Sequence, residues 1–157
     1  MRSALSRGWR EMMIAAACIV AMALVDTARV SAGVSTSSLL TQRNFGGGVL
    51  VEAMLLDAAA GKERVSFRVR LDAGKGSLEG YDLTKISRLR TDRGVEFPTP
   101  ILEKIEGAGH HIIGTLDFAN RDHDGNAILT HETRFIELLI SNVAGVPERM
   151  FRWEFQP

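Results

Sequence analysis

Residues 64–71 read RVSFRVRL, and this stretch decides the fold of the chain. Every second residue is apolar (Val65, Phe67, Val69 and Leu71), and the residues between them are polar. Because successive side chains of a strand point to opposite faces, the alternation predicts a β-strand with one buried face and one solvent-facing side. Such half-buried strands are typical of antiparallel sheets.

The same period of two recurs in three later stretches. Apolar residues alternate over residues 112–118, 136–140 and 151–155, and Glu137 is predicted to face away from the core. Residues 49–56 also favour a strand. They are apolar on both sides and contain good helix formers, so a helix is an open alternative there.

Turn residues separate these stretches and set the fold class. Gly61-Lys62, Asp92–Gly94, Asp124–Asn126 and Gly145–Pro147 are typical turn sequences, and Pro98 with Pro100 indicates an edge or a crossing loop. About seven short strands at this spacing predict an all-β fold, an immunoglobulin-like antiparallel β-sandwich, after an N-terminal signal helix. A small barrel is the alternative.

The N-terminus carries the features of an export signal. Residues 1–32 combine arginines, an uncharged apolar run over residues 12–25 and the small residues Val30-Ser31-Ala32. The run is shorter than the roughly 20 residues of a membrane-spanning helix, so we predict a cleaved signal peptide and a periplasmic or secreted protein. The alternatives are an uncleaved membrane anchor and a lipoprotein attached through Cys18.

The remaining chain is predicted to be a linker followed by one domain. Residues 33–48 are small and polar, which favours a flexible linker, and residues 49–157 have the length of a single β-sandwich domain. Cys18 is the only cysteine, so the domain has no disulfide. The whole chain has 19 basic and 19 acidic residues, and this balance argues against nucleic acid as a partner. We expect membrane contact only through an uncleaved N-terminal segment.

Several short motifs occur in an order that resembles a family of uncharacterised exported or membrane-anchored β-sandwich domains of bacteria and archaea. They are FRVRLD at 67–72, YDL at 81–83, Leu89 with TDRG at 91–94, GHH at 109–111, GTLDF at 114–118 and RMFRW at 149–153. The resemblance implies export and a β-sandwich, and it implies no activity. The family pattern has Thr-His after the aspartate that matches Asp72, whereas Ala73 and Gly74 stand here.

Histidines and aspartates in residues 110–131 are the candidate metal ligands. His110, His111, Asp122, Asp124 and His131 could supply the mixed nitrogen and oxygen ligands of a divalent transition metal. Neighbours on a strand face opposite sides, so alternation predicts His111 outside and His110 towards the core; both could bind one ion only from a bulge or turn.

Residues 122–126 resemble the start of a calcium loop, but Ala127 and Thr133 stand where Gly and Glu are needed. A hairpin turn is the simpler interpretation. No serine or threonine has the setting of a nucleophile, so we predict no enzyme, no catalytic residue and no cofactor. The predicted function is an exported, non-enzymatic binding or accessory domain with a protein partner. The alternative is a periplasmic divalent-metal-binding protein.

Overall fold

The structure, a computed structural model, describes residues 40–155; the predicted signal peptide and residues 33–39 lie outside this range. Eight strands and one short helix follow one another along the described chain. They are β1 Thr41–Gly46, β2 Val49–Asp57, β3 Arg64–Ala73, α1 Leu83–Ile86, β4 Ser87–Thr91, β5 Ile101–Ala108, β6 His111–Ala119, β7 Phe135–Val143 and β8 Val146–Glu154.

The strands form two antiparallel sheets around one core. The five-stranded sheet has the order β1-β2-β3-β6-β5, and the three-stranded sheet has the order β4-β7-β8. In an immunoglobulin constant-type domain, strands A, B, E and D form one sheet and strands C, F and G the other. Strands β2 to β8 take these seven places in sequence order, and β1 adds an eighth strand. The predicted immunoglobulin-like sandwich is therefore confirmed.

The alternating pattern of β3 places its apolar side chains at the centre of the core. Val65, Phe67, Val69 and Leu71 are all fully buried. The ring of Phe67 contacts Phe118 edge-on within its own sheet, with centroids 5.9 Å apart, and Trp153 of the opposite sheet at 5.1 Å. Aromatic pairs of this kind add about 1 kcal/mol each beyond the area they bury. The domain has no disulfide, so packing in the core stabilises the contact between the two sheets instead.

Residues 49–56 form a strand, so the helix alternative is wrong. β2 lies between β1 and β3 and pairs with both. Its central place in the sheet overrides the helix preference of residues 52–56. Pro98 and Pro100 lie in the crossing loop that carries the chain from β4 in one sheet to β5 in the other, as predicted.

The predicted linker over residues 33–48 is wrong for its second half. Residues 41–46 form β1, which pairs with β2 over its whole length. Gly47 and Gly48 make the intervening turn with φ of 59° and 78°. A side chain at Gly47 would place its Cβ 2.0 Å from the carbonyl oxygen of Ala144. The polar sequence of β1 is typical of an edge strand, because the edge of a sheet is exposed to solvent and tolerates polar residues.

β1 also joins the two sheets along one side of the sandwich. The Gln42 amide exchanges hydrogen bonds with the main chain of Arg152, and the Trp153 indole donates to the carbonyl oxygen of Leu40 at 2.9 Å. Arg149, 1% exposed, donates to the carbonyl oxygens of Val143 and Gly46, each at 2.8 Å. These side-chain hydrogen bonds therefore connect the two sheets along a side where no main-chain strand pairing of the described residues joins them.

Within residues 40–155, no helix is both long and apolar enough to cross a membrane.

Candidate functional site

The outer face of the five-stranded sheet is the solvent-facing side of β1, β2, β3, β6 and β5. Strand register sorts its side chains into rows that run across the sheet. One row contains Phe45, Leu50, Asp72, His111 and Ala108. The next rows, in the same strand order, contain Arg43, Glu52, Arg70, Ile113 and Glu106, and then Thr41, Met54, Arg68, Thr115 and Lys104.

A fixed histidine marks one end of this outer face. Asp72 ends β3 and lies directly opposite His111 at the start of β6. One carboxylate oxygen of Asp72 bonds Nδ1 of His111, and the other accepts from Nε of Arg70 at 2.6 Å. A carboxylate on Nδ1 fixes the ring and leaves Nε2 for a ligand or a proton.

Asp72 is held in its ionised form by these two partners. Partial burial of the carboxyl opposes ionisation, but the hydrogen bonds from His111 and Arg70 outweigh it and lower the pKa of Asp72. No hydrogen bond joins His111 to a serine or threonine hydroxyl within the described residues. The arrangement can orient an imidazole, and it lacks the nucleophile that acyl transfer would require.

His110 does not face the core, so that part of the prediction is wrong. It lies in the exposed turn between β5 and β6, beside Gly109 with φ of 64°. Its carbonyl oxygen accepts from the amide of Ala73 at 2.8 Å. The turn ends the regular alternation one residue before β6 begins, so the strand pattern cannot be extended to this side chain. His111 is half-exposed on the outer face, as predicted.

Asp122 and Asp124 lie in the loop that carries the chain from β6 to β7. This loop crosses from one sheet to the other, so the predicted hairpin turn is wrong. Asp122 Oδ1 accepts from the amides of Asp124 and Asn126 at 2.9 and 2.8 Å. These hydrogen bonds, led by the Asn126 amide, lower the pKa of Asp122. The Asp122 carboxylate therefore stabilises this loop through hydrogen bonds from the main chain of the loop itself.

The structure does not bring the five predicted metal ligands together. β6 separates the histidine pair from the aspartates, because eight steps from His111 to Ala119 span about 26 Å. His131 lies in the later part of the same crossing loop and lines a cleft of about 470 Å³ with Phe135 and Arg152. In residues 40–155 no three His, Cys, Asp or Glu residues are placed to hold one metal ion.

Arg68 occupies the centre of the outer face without a partner. It is the one arginine of the described chain that makes neither a hydrogen bond nor an ion pair, although its charge acts on Glu106. A shallow cleft of about 130 Å³ separates Arg68 from Lys104 and Glu106, with Ile113 and Thr115 also lining it. An exposed guanidinium beside a cleft is suited to binding a carboxylate in two-point geometry.

A second polar cluster lies at the other end of the same face. Arg64 contacts Glu103 at 3.5 Å and Asp117 at 3.4 Å, beside a cleft of about 280 Å³. A hydrogen bond between the two carboxyl groups, together with the charge of Asp117, raises the pKa of Glu103. The neighbouring carboxylate therefore favours the protonated form of Glu103. Oδ1 of Asp117 is buried without a hydrogen-bond partner.

Phe45 adds an apolar group at the β1 corner of this face. Its ring is 73% exposed, the highest value for a large apolar residue of the described chain. It lies in the same row as Asp72 and His111, two strands from Asp72 and so about 10 Å away. Exposed aromatic residues of this kind are common anchors of protein interfaces.

Sequence reasoning identified His111 and missed Asp72, Arg68 and Phe45 as parts of the same surface. Asp72 could have been found by pairing the end of β3 with the start of β6. The sequence around Arg68 does not indicate that this arginine is unpaired, because that depends on which residues the neighbouring charged side chains pair with. Phe45 was assigned to the linker, and its exposure follows from β1 being an edge strand.

Comparisons of the chain with protein-family models, with curated proteins and with solved structures found no match. The resemblance to exported β-sandwich domains stays a prediction.

Proposed function

We propose that this chain is an exported, non-enzymatic binding or accessory domain that acts in the periplasm or outside the cell. Its binding surface is the outer face of the five-stranded sheet. The observation that carries the proposal is that Arg68 is unpaired at the centre of this face, beside a cleft.

The chemistry of the face favours a protein partner that presents a carboxylate. Arg68 would bind that carboxylate, and Thr115 at the cleft can add a hydroxyl donor. Phe45 would supply apolar contact at the margin of the surface. His111, fixed by Asp72, would offer a directed imidazole at the same end. All of these contacts are non-covalent, and none of them makes or breaks a covalent bond. We therefore favour a binding domain over an enzyme.

A photo-cross-linking scan in cells that export the protein tests this proposal. A photoreactive residue replaces Thr115 in the cleft or, as the matched control, Met150 on the outer face of the three-stranded sheet. Met150 is 47% exposed and Thr115 is half-buried at the cleft, so both probes reach solvent. We expect discrete adducts from position 115 and none from position 150. Arg68→Glu in the same background should remove the adducts.

Equal adducts from both positions, or adducts from position 150 alone, would contradict the assignment of the binding face. Adducts at 115 that survive Arg68→Glu would keep the face but remove the carboxylate from the proposal.

A further inference from the structure

The four edges of the two sheets are not protected alike. β4 is bordered by residues 95–97, through a bridge between Arg90 and Glu96 and a hydrogen bond from the Phe97 amide to the Leu89 carbonyl. β8 and β1 lie against each other and are joined by the Gln42 amide. β5 has no neighbour on its outer side within residues 40–155. An unpaired strand edge can pair with another strand.

β5 is also the most exposed strand of the described chain. Seven of its eight residues are exposed, among them Ile101 at 52% and Ile105 at 56%. Ile105 lies opposite Gly114 on the inner face of the sheet, where apolar residues elsewhere are buried. The free edge therefore combines open main-chain groups with exposed apolar side chains.

A bulge limits the usable part of this edge. The register shifts between Leu102 and Lys104, so Glu103 is the extra residue, and β5 pairs with β6 one to one from Lys104 to Ala108. The bulge twists the first part of the strand away from regular pairing. A partner strand would therefore pair with the second part of β5.

We propose that β5 pairs antiparallel with β5 of a second copy of this chain, centred on Ile105. In this register Lys104 of each copy lies opposite Glu106 of the other, and the two Ile105 side chains meet on the opposite face. Cross-strand pairs of opposite charge and of apolar residues both stabilise such an edge contact. The pairing would extend two five-stranded sheets into one of ten strands.

Charge selects this register over its neighbours. Directly opposed residues of an antiparallel pair share a face, so a twofold pair of identical strands is centred on a residue. A pair centred on Lys104 would place the two Lys104 side chains together, and one centred on Glu106 would do the same with the acids. Like charges directly opposite each other destabilise strand pairing. Lys104 and Glu106 also line the cleft beside Arg68, but the inference rests on the free edge of β5 and not on the proposed binding face.

Sedimentation analysis over a concentration series measures the oligomeric state and tests the proposal. The full chain is expressed, and the protein recovered after export is used. We expect a reversible dimer. Lys104→Glu and Glu106→Lys should each weaken dimerisation roughly tenfold or more, because both charge pairs become repulsive. Mixed in equal amounts, the two variants should form a heterodimer, because Glu at 104 then lies opposite Lys at 106 and the unchanged pair is kept. Lys62→Glu, between β2 and β3, is the matched control and should dimerise as wild type does.

A wild-type protein that stays monomeric up to its solubility limit would overturn the proposal. So would a mixture of the two charge variants that associates no better than either alone. A second measurement is independent of charge: Ile105→Cys in a Cys18→Ala background should form a disulfide-linked dimer on mild oxidation, faster than Met150→Cys, which is 47% exposed on β8 of the other sheet. Equal rates would also contradict the register.

Discussion

The outer faces of the two sheets differ in how their charges are used. On the three-stranded sheet, the row Arg90, Glu137 and Arg152 is closed on itself: Glu137 is 4% exposed and accepts from both arginines at 2.6–2.9 Å. Arg152 also lies 3.9 Å from the centre of the Phe135 ring. On the five-stranded sheet, Arg68 keeps its hydrogen-bonding capacity free. The row on the three-stranded sheet thus pairs all of its charges, whereas the five-stranded sheet, whose Arg43, Arg64 and Arg70 are paired as well, leaves Arg68 alone unpaired among its described arginines.

The largest effect is expected when the closed row is broken. Glu137→Gln should lower the free energy of unfolding by about 2 kcal/mol, because both arginines lose a nearly buried counter-charge. Chemical denaturation at neutral pH measures this loss. Glu148→Gln is the matched control: its carboxylate pairs with Arg88 but is 40% exposed, so the loss should stay below about 0.5 kcal/mol.

The pH dependence of stability should report the same carboxylate. Burial opposes ionisation of Glu137, but its hydrogen bonds from Arg152 and Arg90 prevail and lower its pKa in the folded state. A lowered pKa gives stability that is present above the unfolded-state pKa and is lost as pH falls through the folded-state pKa. The wild type should therefore lose more stability than Glu137→Gln between neutral and acidic pH. Parallel pH profiles would contradict the role of Glu137.

An intermediate effect is expected at the histidine end of the five-stranded sheet. Asp72→Asn should lower the free energy of unfolding by about 1 kcal/mol at neutral pH, because it weakens the bonds to His111 and Arg70 in a partly exposed setting. The pKa of Asp72 is lowered, so this contribution should also disappear as pH falls through that pKa. A larger loss than that of Glu137→Gln would mean that the outer face of the five-stranded sheet, here called the open face, also serves mainly to stabilise the fold.

A small effect on stability is expected at the centre of the open face. Arg68→Ala should change the free energy of unfolding by less than about 0.5 kcal/mol, because the guanidinium makes no bond that the fold requires. Arg90→Ala on the closed face should cost more, since Arg90 donates to Glu137 at 2.7 Å. Equal losses from the two arginine variants would remove the contrast between the faces.

The smallest effect is expected from metal removal. The five predicted ligands lie at both ends of β6 and, for His131, later in the crossing loop, so a chelator should leave the melting temperature of the purified protein unchanged. Added zinc, copper or calcium should have no effect either. Stoichiometric metal in the purified protein, with a lower melting temperature after chelation, would revive the alternative of a metal-binding protein.

The sequence predicted the sandwich because alternation is a local property. β3 shows it without exception, and its four apolar residues are all buried. β1 escaped prediction because an edge strand with polar residues has little apolar signal, and its pairing with β2 is fixed by the glycine turn at 47–48. The direction of Glu137 was correct, but its burial depends on arginines from two neighbouring strands. Such contacts follow from register, which the sequence does not state.

The candidate site shows the same limit. His111 was predicted on the outer face from alternation within β6, and the structure confirms that position. Its bond to Asp72 requires knowing that β3 and β6 are neighbours although about 40 residues separate them. The unpaired state of Arg68 requires knowing the partner of every other arginine on the face. Properties of single strands could be predicted, and properties of the assembled face could not.

The most direct test of the central claim is a map of backbone amide shifts during titration with an acidic peptide rich in glutamate. Binding at the open face predicts shifts on β3, β5 and β6 around Arg68. The affinity should fall about tenfold or more in Arg68→Glu and much less in Arg43→Glu, whose arginine is already paired with Glu52. Shifts centred on β4, β7 and β8, or equal losses in the two variants, would contradict the account.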